Sequence, residues 1–126
     1  MKNDLWLSAQ KPLCMQIDIG DRIVEAEIAD TVLKRAKGLS LKNSGKMLFK
    51  FNRDTMASID MMLLSEPLYL YFMNPEKEII DTQKAKPWTR NPKTWKLYSP
   101  DRPYRYLLES FEELGIEEGQ KLEFDL

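Results

Sequence analysis

The chain has no histidine, one cysteine and no long apolar run. Each absence removes a class of chemistry. Without histidine there is no Ser-His-Asp or Cys-His activation of a nucleophile, and no histidine-ligated zinc or iron site. A single Cys14 allows neither an internal disulfide nor a thiolate zinc site within a monomer. No stretch approaches the roughly 20 apolar residues of a membrane span. The N-terminal segment MKNDLWLSAQKP has no apolar core of signal-peptide length. The expectation is a cytoplasmic protein with no membrane partner, its lone thiol suited to a reducing compartment. An enzyme built from these residues must rely on carboxylates, lysine, tyrosine or an oxygen-ligated metal. No catalytic motif, metal site or cofactor is read here, so the chain leans toward a non-enzymatic role.

What is present suits one globular domain over residues 1–126, with 1–12 as an N-terminal extension. At this length about two-thirds of the unfolded surface is buried on folding, enough for one core. LCMQIDIG alternates, with Leu13, Met15, Ile17 and Ile19 on one side and Cys14, Gln16 and Asp18 on the other. Gly20-Asp21 offers a reversal, and Val24, Ala26 and Ile28 form the apolar side of a return strand. In DTVLKRAKGL the period changes. A cap at Asp30 or Thr31, cations in the last turn and Gly38 at the end predict a short helix. KMLFKF predicts a strand with Met47, Phe49 and Phe51 inward, and PLYLYFM a central strand apolar on both faces. EIIDTQ pairs back, and KLEFDL alternates with Leu122, Phe124 and Leu126 inward. Tyr104, Leu107, Leu108, Phe111 and Leu114 fit helical spacing. RYLLE as a strand followed by one helical turn at FEELG fits equally and is favoured, because the other strands need partners.

ASIDMMLL, residues 57–64, also reads as a strand. Asp60 then shares a face with Met62 and Leu64, partly buried. A buried carboxylate must be paired, hydrogen-bonded or protonated. Asp60 is a structural ion pair or an exposed carboxylate at a strand end, a binding-site acceptor, or a catalytic acid or base, and no second carboxylate is placed beside it by the sequence.

Two features point toward binding. The segment KAKPWTRNPKTWKLYSPDRPY is a long loop with four of the seven prolines and two of the three tryptophans. Loops beyond about 12–15 residues in compact domains are often functional. Trp88 and Trp95 either cover a sheet face or form a stacking platform. The net charge of −1 also hides segregation. Residues 34–53 hold seven basic side chains and no acid, and residues 84–105 hold seven against Asp101 alone. If folding brings these stretches together, they make an anion-attracting face despite an acidic pI. Helix-end and edge-strand roles for the same lysines are the bland alternative. No helix-turn-helix, zinc-finger or RNP-type signature supports a specific nucleic-acid module.

The order and spacing of RAKGL, MLFKF, EPLYLYF and YSPDRPYRY resemble the domain of unknown function 192 (DUF192) family over roughly residues 22–125. Arg35, Gly38 and Leu39 match its helix end, and Met47, Leu48, Phe49 and Phe51 match a strand. Pro67 and Leu68 open a central strand. Ser99, Pro100, Pro103, Arg105 and Tyr106 match a loop-to-strand segment, and Gly115 and Gly119 precede the last strand. The chain departs from the family's Phe-Trp-Met-Lys-Asn at residues 59–63, where only Met61 is kept. The resemblance implies a mainly β fold, a β-sandwich or jelly-roll-like barrel with one or two short helices, and brings no assigned activity. The expected site is the mouth between the long loop and the basic helix end. There Trp88 and Trp95 stack, Arg35, Arg90 and Arg105 hold an anion, and Asp60 lies nearby. The partner is an anionic ligand, a polyanion or an acidic protein. A saccharide-binding module and a carboxylate enzyme using Asp60 are the competing expectations.

Overall fold

The computed structural model describes residues 13–29 and 44–126. The helix expected after Asp30, with Arg35, and the N-terminal extension lie outside them. Six strands make one mixed sheet: β1 (Cys14–Asp18), β2 (Ile23–Ala29), β3 (Lys46–Thr55), β4 (Leu68–Met73), β5 (Ile79–Ala85) and β6 (Tyr104–Ser110), in the order β1-β2-β3-β6-β4-β5. Only β2 and β3 run parallel; every other neighbour pair is antiparallel.

The hairpin β1–β2 forms where period and turn chemistry place it. Ile19 donates its N–H to the Arg22 carbonyl at 3.0 Å, closing a four-residue turn. Gly20 is its first central residue at φ +106°, a conformation that side chains other than glycine's resist. Ile17, Ile19, Val24, Ala26 and Ile28 are buried, as the alternation requires. Leu13 is not: it precedes β1 and stays 59% exposed.

Strands β4 and β6 are both interior to the sheet, paired on each side, and both are apolar on two faces for that reason. One face carries Tyr71, Met73, Tyr106 and Leu108, packed with Ile17, Leu48, Leu122 and Phe124. The other carries Leu68, Leu70, Phe72, Tyr104 and Leu107, packed with Met47, Phe49 and Met61. Tyr104 and Tyr106 fall in different clusters although two residues apart. The β3–β6 register shifts between Lys50 and Thr55, which breaks the alternation there.

The C-terminal segment ties the outer strands together. Asp18 and Glu123 exchange backbone hydrogen bonds at 2.9 and 3.1 Å, while the Leu122 N–H reaches the Lys77 carbonyl at 3.0 Å. Residues 121–123 therefore bridge β1 on one side and the entry to β5 on the other, and Leu122 and Phe124 are buried between them. This removes part of the exposed edge that an open sheet leaves at each end.

The fold is mainly β and its strands form a mixed sheet. Among the described residues all six belong to one sheet, because β6 inserts between β3 and β4 and bonds to both. Two expectations are corrected. Residues 57–64 are not a strand and contribute one isolated bridge, Ile59 to Tyr98. Helix is almost absent: the described residues hold one 3-10 turn, Pro92–Thr94. FEELG does not coil. Ser110 Oγ accepts the Glu112 N–H and donates to its carbonyl, and the Leu114 N–H is taken by the Tyr71 hydroxyl at 3.0 Å. Those groups are thereby withdrawn from a helical ladder.

Candidate functional site

The long loop is ordered by its own short polar side chains. Asn91 Oδ1 accepts the Lys93 N–H at 3.0 Å and caps the 3-10 turn, with Pro92 at its start. Thr94 Oγ1 accepts the Thr89 N–H at 2.8 Å and donates to the Asn91 carbonyl. The tryptophans lock the fold-back. Trp88 Nε1 donates to the Lys96 carbonyl at 2.8 Å, and Trp95 Nε1 donates to the Thr89 carbonyl at 2.9 Å. Their ring centroids are 6.2 Å apart and tilted by 31°. Trp88 packs partly buried against the core, whereas Trp95 is 54% exposed. The two rings thus divide the two roles that the sequence left open, one covering the sheet and one facing outward.

Segment 56–64 lies against this loop. Ile59 and Tyr98 exchange backbone hydrogen bonds at 2.7 and 2.9 Å, and Trp88 N–H donates to the Met61 carbonyl. Met61 is fully buried and pins the segment to the sheet. Asp60 is exposed at a turn, where its Oδ1 accepts the Met62 N–H at 3.1 Å. That local bond reverses the chain and explains why no strand forms. It also turns Met62 and Leu63 outward, 62% and 50% exposed. Tyr104 supports the segment from below, its hydroxyl donating to the Ala57 carbonyl at 2.7 Å.

The basic stretch divides into two parts. Lys86, Arg90, Lys93 and Lys96 make no ion pair with any described carboxylate, and the Lys96 ammonium lies 5.2 Å from the Tyr98 ring centre. Arg102 and Arg105 are engaged elsewhere. Arg102 donates to the Ile80 carbonyl at 3.1 Å, in a cleft of about 580 Å³ shared with Asp81, Asp101 and Glu118. Arg105 pairs with Asp54 at 2.9 Å. From the other basic stretch, Lys46 pairs with Glu112 at 3.3 Å. The structure pairs Trp88 with Trp95 on the loop that also carries Arg90, and bonds that loop to the segment carrying Asp60. It leaves Arg105 in a separate ion pair, and Arg35 lies outside the described residues.

Glu109 was missed by the sequence reading. Its partners across the sheet are Met47 on β3 and Leu70 on β4, both in the cluster beneath segment 57–64. It is 4% exposed. Burial pushes its carboxyl up to about 8, and the nearby Asp60 charge adds to the rise. Burial, with a smaller push from Glu109, also holds the Tyr104 hydroxyl protonated far above its ordinary range. The available signal was alternation: in a strand, Glu109 shares the side of Leu107. Among the described residues no group of three or more carboxylates and thiols is placed to hold a metal ion.

Cys14 lies at an acidic end of the molecule, in a cleft shared with Asp18, Glu123 and Asp125. Desolvation, then Glu25 and Glu27, raises its thiol above the usual range. Its alkylation by iodoacetamide at neutral pH is expected to run slower than that of a free cysteine, with mass spectrometry as the readout. A faster rate would show an activating neighbour.

A family model for DUF192, described as an uncharacterised ACR, matches residues 15–124. A UPF0127 protein of Pyrococcus furiosus is 30% identical over 109 residues, covering 81% of this chain and 88% of that protein. A second, from Pyrococcus abyssi, is 28% identical, covering 79% and 86%. Two crystal structures share the fold. One is a candidate transcription regulator from Sinorhizobium meliloti 1021, with TM-score 0.73, 20% identity and coverage of 90% and 95%. The other is a protein of unknown function from Novosphingobium aromaticivorans DSM 12444, with TM-score 0.68, 22% identity and coverage of 89% and 84%.

Proposed function

This chain belongs to the DUF192 family, whose function is uncharacterised, and from that premise we propose that it is a binding module whose basic, aromatic-bearing face takes an anionic ligand or partner. One observation carries the reading: Arg90, Lys93 and Lys96 project from the same loop as the half-exposed Trp95, with no described carboxylate paired to them. Cations left unpaired around an exposed ring create a local positive field that the net charge conceals. Arg105 joins this set only by exchanging Asp54 for the ligand. A neutral saccharide is less well served, because both indole N–H groups are already spent on backbone carbonyls.

A further reading, a carboxylate enzyme, draws on the charge of Asp60 acting on Glu109. Glu109, at 4% exposure, is too sealed to meet a substrate without movement of segment 57–64. Loss of a measurable hydrolytic activity in Asp60→Asn would favour it. We read the six strands, tied at one end by residues 121–123, as a jelly-roll-like barrel forming one domain over residues 1–126. Our reading places it in the cytoplasm, where an exposed lone thiol such as Cys14 stays reduced. Among the described residues no helix is long and apolar enough to cross a membrane.

The direct experiment is charge reversal. Arg90→Glu with Lys93→Glu is expected to weaken binding to heparin by on the order of 100-fold, as two attractions become repulsions. The same reversal at Lys77 and Lys121, at the acidic end, is expected to change it little. Equal effects at both places would contradict the reading.

A further inference from the structure

Five of the large apolar side chains that stand exposed lie on two joined segments, residues 56–64 and the basic loop itself. Met56, Met62 and Leu63 are on one, and Trp95 and Leu97 on the other, each 50–62% exposed. The bridge between Ile59 and Tyr98, with the Trp88 N–H on the Met61 carbonyl, holds the two segments side by side. Singly scattered exposed leucines need no explanation, but five large apolar groups concentrated on two joined segments do.

Three features describe what covers them. The rim is cationic, with Lys86, Arg90, Lys93 and Lys96 on the same loop and no acid between Lys84 and Pro100. The indole N–H groups are satisfied internally, so Trp95 offers apolar surface and no directional donor. The carboxylate of Asp60 is engaged by the backbone of Met62. The face therefore supplies insertion and diffuse positive charge, with few groups that would read the shape of a peptide. Leucine, methionine and tryptophan surrounded by lysine and arginine match the boundary of an anionic bilayer, where apolar groups enter the acyl region and cations stay among the headgroups.

We infer that this face docks on the surface of an anionic lipid bilayer. The inference rests on the proposed anion-binding reading and names its partner. That no helix among the described residues is long and apolar enough to cross a membrane speaks only to crossing by a helix; a peripheral contact needs none.

The test is cosedimentation of the intact chain with vesicles of phosphatidylcholine plus phosphatidylserine, with phosphatidylcholine vesicles and soluble heparin as separate arms. The chain is expected to bind the mixed vesicles at least about tenfold more tightly than neutral ones. Leu63→Ser with Leu97→Ser is expected to lose about tenfold or more of vesicle affinity and to keep heparin binding. Both residues are at least half exposed, so the variant is expected to melt like the parent chain. Heparin binding without vesicle binding would overturn this inference alone and leave a soluble anion or an acidic protein as the partner. Unchanged vesicle affinity in the serine variant would also overturn it. Binding to neither would overturn this inference together with the anion-binding reading.

Discussion

Glu109→Gln is expected to flatten the fall in stability that the parent chain shows as pH rises from about 5 to about 9. The sign follows from proton linkage. The Glu109 carboxyl has an ordinary value of 4.5 and is pushed up to about 8 in the fold. Between those values the folded state holds a proton that the unfolded state has released, so raising the pH favours unfolding. The associated stability is fully present below 4.5 and lost as pH passes through about 8. The loss amounts to a few kcal/mol, with an upper bound of roughly 5. Glutamine keeps the shape and cannot ionise, so the variant should match the parent near pH 5 and exceed it by about 2–5 kcal/mol near pH 9. Urea denaturation at the two pH values is the measurement. Parallel stability curves for the two proteins would show that Glu109 ionises without penalty.

The second large effect is at Met61. Its side chain is fully buried, and it holds segment 57–64 against the face carrying Phe72 and Leu107. Met61→Ala removes most of the plug from a packed interior and is expected to cost about 2–5 kcal/mol. The consequence extends to the site. The Met61 carbonyl receives the Trp88 N–H, and the segment is bonded to Tyr98, so loosening the plug releases one wall of the tryptophan loop. The same variant is therefore expected to weaken polyanion binding although Met61 makes no contact with solvent. Met62→Ala, one residue away and 62% exposed, is expected to change stability by less than about 0.5 kcal/mol. Equal costs at the two positions would show that the segment is not anchored as described.

These residues also show where a linear chain discloses its structure. The strands were legible because a two-residue period survives burial: Val24, Ala26 and Ile28 face inward as written, and the doubly apolar PLYLYFM supplies an interior strand paired on both sides. Segment 57–64 was misread because its apolar run mimics a strand. The Asx-type bond from Asp60 to Met62, which costs the run its pairing, is a local choice that composition does not reveal. Glu109 was overlooked for a related reason. Alternation assigns it to the side of Leu107, but only the tertiary arrangement, with segment 57–64 laid over that side, seals it from water. Trp88 and Trp95 were located in a stiff loop by proline content. Which ring covers the core and which faces outward depends on the two indole bonds that fold the loop back. The single-sheet arrangement was likewise hidden, since nothing in the order of strands shows β6 inserting between β3 and β4.

The charge pattern was half informative. Counting identified residues 84–105 as basic, yet folding sends Arg102 toward Asp81 and Asp101 and Arg105 to Asp54. The proposed site therefore rests on Arg90, Lys93 and Lys96, which pair with no described carboxylate.

The central claim is that these unpaired cations, beside an exposed indole, bind polyanions. Titration of the chain with a single-stranded oligonucleotide at increasing salt tests it most directly, since each cation that replaces a counterion adds to the salt dependence. Four engaged cations correspond to a log–log slope of about −3, and to roughly 50-fold weaker binding at 200 than at 50 mM salt. A flat dependence, or no binding at the lower salt, would contradict the account.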